Sequence, residues 1–87
     1  MTTRELKILA AVLNYLHTLE GGQADELKIH AVIYQKADPS PSVAELRSAL
    51  RECEVKEYIM GVPARLTGRM KWNITDLGES TRLELNE

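Results

Sequence analysis

The stretch Ser42–Thr75, SVAELRSALRECEVKEYIMGVPARLTGRMKWNIT, decides the fold. Ser42 with Glu45 three residues on forms an S-x-x-E capping box, so a helix is expected to begin there. Val43, Leu46, Leu50 and Cys53 then recur at helical spacing with Ala49 beside them, which makes one face apolar. Between Cys53 and Tyr58 that helix must end, although no glycine marks where. Alternation follows: Tyr58, Met60 and Val62 point one way, and Met70, Trp72 and Ile74 line one face of a return strand. Pro63 and Gly68 bracket the connecting loop PARLTGR.

A helix followed by such a hairpin is the second half of a winged helix-turn-helix. The expected class is mainly α with a small β-hairpin, an α+β fold of three helices, a wing and a short C-terminal helix. Upstream, Asp38-Pro39-Ser40-Pro41 breaks any helix and supplies the turn of the motif, because each proline disfavours helix in the residue before it. The helix before it is expected over Asp25–Lys36, with Leu27, Ala31 and Tyr34 inward and Ile29, Val32 and Ile33 partly covered. Downstream, Asp76 with Glu79 repeats the capping-box pattern and predicts a final helix to about Leu85.

The first helix is expected over Thr3–Leu19, ended by Glu20-Gly21-Gly22. Leu6, Leu9, Ala10, Leu13 and Leu16 share one face; Ile8, Val12, Tyr15 and Leu19 form a second one next to it. So wide an apolar surface belongs to a thoroughly buried helix or to one whose second face joins a partner subunit. The expectation is a homodimer through Ile8, Val12, Tyr15 and Leu19. The competing account covers that face with the chain's own C-terminus.

A chain of 87 residues is expected to form one domain over 1–87. A single cysteine excludes an internal disulfide, and no Cys/His cluster offers a zinc site, so apolar packing alone must hold it. A lone thiol and no signal peptide point to a reducing, cytoplasmic location. No apolar run is long enough to cross a bilayer, so no membrane partner is expected. The net charge of −2 argues against an indiscriminate polyanion binder, yet charge is segregated along the chain. Residues 39–73 carry six Lys/Arg against four Asp/Glu, a balance of +2, while residues 74–87 carry one against four, a balance of −3.

The positive part coincides with the expected recognition helix and wing. Opposite Leu46 and Leu50 the helix presents Ala44, Ser48 and Arg51, flanked by Arg47, with Ser42 at its start. Arg bonds guanine bidentately in a major groove, Ser reaches bases or phosphates, and small Ala44 permits close approach. Glu45 and Glu52 oppose that reading unless paired with Arg47 or Arg51 or reading a cytosine amine, and a solvated amphipathic face is its plain competitor. Arg65, Arg69 and Lys71 fall in the wing with no acid among them, a pattern suited to lying along phosphates. No catalytic site can be assembled. His17, His30 and Cys53 all fall among apolar neighbours, and Gly21-Gly22-Gln23 matches the release-factor tripeptide in three letters only. A non-enzyme without cofactor or metal is expected.

Residues 44–78, with LRSALRECEVKEYI, the basic turn and KWNITDLGE, resemble the winged-helix domains of MarR-like and PadR-like bacterial regulators. Their L-T-x-x-G signature stands here as Ile74-Thr75-Asp76-Leu77-Gly78. The resemblance implies a small transcriptional regulator, minimal or phage-type, that places helix 42–53 in the major groove of double-stranded DNA and wing 63–71 on the backbone. The chain departs from the pattern in having no long C-terminal dimerisation helix and a more acidic recognition helix. Winged helices also serve as protein-interaction modules, which is the alternative function and partner class.

Overall fold

A computed structural model describes residues 2–20, 22–34, 41–63, 66 and 68–86. Among them the order is α1 (Thr3–Thr18), β1 (Ala24–Asp25), α2 (Glu26–Ile33), α3 (Val43–Val55), β2 (Ile59–Pro63), β3 (Met70–Ile74) and α4 (Asp76–Leu85). The strands form an antiparallel sheet in the order β1-β3-β2. Helices α1 to α3 followed by the β2–β3 wing and a closing helix make this a winged helix, an α+β fold.

Helix α1 starts where the Thr2 side chain accepts the Glu5 amide, and it ends in a tight turn through Glu20, whose φ is +49°. Its buried side chains are Ile8, Leu9, Val12, Leu13 and Leu16, drawn from both of the apolar sets seen in the sequence. The expected dimer surface is therefore corrected at Ile8 and Val12, which lie in the core of one chain. Tyr15 and Leu19 are half-buried against the same core, and so is Leu85 of α4. Helix α4 runs along α1, tied by the Asn14–Asn86 side-chain amide pair and by His17 against Glu79. The physical reason is that α4 supplies the cover a partner would otherwise have had to supply. Leu6, assigned to the inner face, is partly exposed.

Helix α2 is turned about its axis relative to the expectation. Ile29 and Ile33 are fully buried, whereas Leu27 is 60% exposed and Ala31 and Tyr34 also face outward. Asp25 is the N-cap and not a first-turn residue; its carboxylate accepts the Lys28 amide at 2.8 Å. Residues 38–40 of the expected turn and Lys36 at the expected helix end lie outside the described residues.

Helix α3 follows its sequence closely, except that Val43, expected on the apolar face, is exposed. Ser42 and Glu45 complete both bonds of the capping box, and Leu46, Leu50 and Cys53 are buried. Its end is a Schellman motif: the Tyr58 amide reaches the Cys53 carbonyl at 2.8 Å and the Glu57 amide the Glu54 carbonyl at 3.0 Å. Glu57 takes the left-handed position at φ +64°, where glycine is usual, so no glycine signalled the stop.

In the sheet, Ile59, Gly61 and Pro63 stand opposite Ile74, Trp72 and Met70. Residues directly opposite share a face, so the inner set on β2 is Ile59 and Gly61, and Met60 and Val62 point outward. Gly61 is required there because a Cβ would press against the Trp72 ring and the Met70 methyl. Strand β1 was not anticipated; it pairs Ala24 with Trp72 and Asp25 with Lys71. The cap of α4 is Thr75, one residue before the Asp76 expected, and its side chain accepts the Gly78 amide.

Candidate nucleic-acid interface

The inner face of α3 is fixed by Leu46, Leu50 and Cys53, which turns Ala44, Arg47, Ser48 and Arg51 to solvent. Ser42 is exposed as well, with its hydroxyl oxygen accepting the Glu45 amide at 3.1 Å. The two glutamates that opposed a DNA reading are both engaged, though not by Arg47 or Arg51. Arg4 of α1 forks onto Glu45, with Nε donating to Oε2 at 2.6 Å and Nη2 to Oε1 at 3.0 Å. That hydrogen bond, and the Ser42 amide after it, hold the Glu45 carboxyl down at about 2. Glu52 lies 3.7 Å from Lys56, one turn further along α3.

An open groove of about 550 Å³ runs between α3 and the wing. Helix α3 contributes Arg47, Leu50, Arg51 and Glu54; the start of α2 contributes Asp25, Glu26 and Leu27; the wing contributes Arg69, Met70 and Trp72. Three of the cations named from the sequence thus meet in one place. Lys71 does not join them, since alternation along β3 sets it on the face opposite Met70 and Trp72, where it is exposed. Arg65 lies outside the described residues. Gly68, at the end of the wing loop, has φ +69° with open space around it.

Sequence reasoning missed the acids of this groove. Asp25 and Glu26 arrive because β1 pairs with β3, and Arg47 donates from Nε to Glu26 Oε1 at 2.9 Å. Two residues give β1 no periodicity to detect. Elsewhere, His17 is an exposed edge residue whose Nδ1 lies 2.8 Å from Glu79. His30 Nε2 lies 3.1 Å from the Pro41 carbonyl, beside the Tyr34 ring. Cys53 is fully buried, and burial pushes its thiol up to about 12, so it is a packing group and not a nucleophile. Among the described residues no group of three or more His, Cys, Asp or Glu is placed to hold a metal ion, and no helix is long and apolar enough to cross a membrane.

The fold and this groove place the chain in the winged-helix class. No protein-family model matches the chain, and no curated protein matches it. Among solved structures it is similar to a protein of Streptococcus mutans, with a TM-score of 0.80 and 21% identity over 94% of this chain and 74% of that one. It is also similar to a transcriptional regulator of Clostridium thermocellum, with a TM-score of 0.78 and 20% identity over 97% of this chain and 82% of that one. At such identity the likeness establishes a shared fold.

Proposed function

We propose that this chain is a DNA-binding transcriptional regulator that sets α3 in the major groove of double-stranded DNA and lays its wing along the phosphate backbone. The observation that carries this reading is the meeting of Arg47 and Arg51 of α3 with Arg69 of the wing around one open groove. Pairing of Glu45 with Arg4 removes one of the two charges that opposed it. The Clostridium thermocellum regulator of the same fold supports the same class. Ser48 and Arg51 are the base-reading candidates, Ala44 permits close approach, and Ser42 holds the start of the helix. Arg69 and Lys71, with Arg65 in the wing loop, are the backbone contacts.

Selection from a random duplex pool at low salt, followed by titration of the enriched duplex, tests the reading. Enrichment of a motif and a binding constant that falls with salt are expected. A pool that stays random, with no binding at low salt, overturns it.

A second reading has its own observation. Asp25, Glu26 and Glu54 share the groove with the exposed side chains of Leu27 and Met70, a mixture suited to a protein partner. Under this reading the module is an adaptor without DNA binding. A two-copy assembly that doubles the DNA half-site belongs to the first reading. With Ile8 and Val12 in the core, its candidate surface is the exposed Leu77 and Leu83 of α4. Sedimentation of one 9.8 kDa chain at micromolar concentration rules that assembly out.

A further inference from the structure

We propose that Glu26 and Arg47 act as one base-reading unit, in which the carboxylate of α2 fixes the guanidinium of α3 so that its outer edge donates to a guanine. The inference deepens the DNA-binding reading and rests on it. Arg47 donates from Nε to Glu26 Oε1 at 2.9 Å and from Nη2 to Oε2 at 3.4 Å. The Nε–Nη2 edge of the planar group is thereby occupied. The remaining donors, on Nη1 and the second hydrogen of Nη2, lie on its other edge. Two parallel donors in one plane are what guanine O6 and N7 accept.

Glu26 is well placed to hold that edge still. It opens α2 directly after Asp25, which caps the helix and pairs with Lys71 of β3, so its backbone is fixed to the base of the wing. The Arg47 side chain is 63% exposed, whereas that of Glu26 is 28% exposed. An exposed ion pair adds little stability, so a contribution to folding does not account for this arrangement. Arg47 also sits early in α3, and the N-terminal part of a recognition helix is the part that meets base edges.

Charge decides between a phosphate and a base as the target. A guanidinium already matched by a carboxylate has little net attraction left for phosphate, and the carboxylate itself repels phosphate. The donors on its other edge remain, and a neutral base edge makes use of them. Glu26 is therefore a positioning residue, and Arg47 belongs with the reading group and not with the cations that track the backbone.

The test uses the duplex enriched by the unmodified chain and its single-base variants, titrated at several salt concentrations with E26Q, R47K and R47A. R47K keeps the charge and loses the fork at an exposed position. It should keep the salt slope and the melting temperature while losing roughly tenfold or more of the guanine preference at one base pair. E26Q should lose preference at the same base pair and bind the non-preferred duplexes more tightly, having shed a negative charge. Unchanged preference in E26Q or R47K overturns the inference. So does an R47A that weakens every duplex alike and lowers the salt slope by about one, as a phosphate contact would. If the unmodified chain binds no duplex at low salt, the DNA-binding reading fails first and takes this inference with it.

Discussion

One hydroxyl joins α3, the sheet and α4. Thr75 Oγ1 accepts the Gly78 amide at 3.0 Å and donates to the Glu57 carbonyl at 2.6 Å, so a single atom caps α4 and holds the Schellman turn of α3. Thr75→Ala should therefore cost about 1–2 kcal/mol, as a lost cap does, while Thr75→Ser retains most of the stability. Three residues on, Gly78 lies under the Tyr58 carbonyl, into which a Cβ would collide. Alanine gains up to about 1 kcal/mol in helix propensity, but overpacking against a rigid backbone costs about 1–3. Gly78→Ala is thus expected to destabilise, read as a lower urea midpoint at constant slope. Glu57 gives the opposite sign. At φ +64°, Glu57→Gly relieves the left-handed strain and should stabilise by several tenths of a kcal/mol after the entropy cost of glycine. Glu45 supplies a pH dependence. Its folded carboxyl titrates at about 2 against an ordinary 4.5, so the folded chain binds fewer protons than the unfolded one between those values. Stability from the Arg4–Glu45 contact is complete above the unfolded value and is lost as pH falls toward 2. Arg4→Ala should flatten that part of an acid-unfolding curve.

At the scale of elements, legibility depended on whether a segment carried a polar face to set its phase. Helix α3 does: Glu45, Arg47, Ser48, Arg51 and Glu52 surround a narrow stripe, and its start, its outward residues and all of its inner face but Val43 could be read. Helix α2 carries Leu27, Ile29, Ala31, Val32, Ile33 and Tyr34, which cover nearly every direction, so its rotation is set by the neighbours it packs against. Strand β2 misled for a different reason. The larger side chains, Met60 and Val62, face out because the inner position opposite Trp72 has room only for Gly61. Helix α1 shows where the question turned on another element. Two adjoining apolar faces are compatible with a partner subunit or with α4, and α4 packs there. Val12, fully buried, therefore gives a sharp outcome. Val12→Glu buries an unpaired charge and should unfold the chain, where a free dimer surface would have yielded a folded monomer. Leu13→Ala, at an equally enclosed position, should cost about 2–5 kcal/mol in denaturant melts.

Under the proposed DNA-binding function, the whole molecule, with a net charge of −2, would have to hold a polyanion. The positive balance of residues 39–73 marked the candidate interface in the sequence. Two of its acids were not legible, because Asp25 and Glu26 reach the groove only through the β1–β3 pairing. With Arg47 proposed to read a base beside Glu26, the proposed phosphate contacts are Arg69 at the groove, Lys71 on the outer face of the wing, and Arg65. Three such contacts imply a slope of log K against log salt of roughly −2.7, from about 0.9 per phosphate. That is shallow, so base reading must carry much of the affinity, and a second copy on an adjacent half-site would double the slope. Arg69→Ala should weaken all duplexes alike and reduce the slope by about one, whereas Arg51→Ala should relax preference at particular base pairs at a cost of about 1–3 kcal/mol. Titrations of both variants across a salt series separate the two roles. Equal effects of the two substitutions on slope and on preference would erase the division of labour between helix and wing.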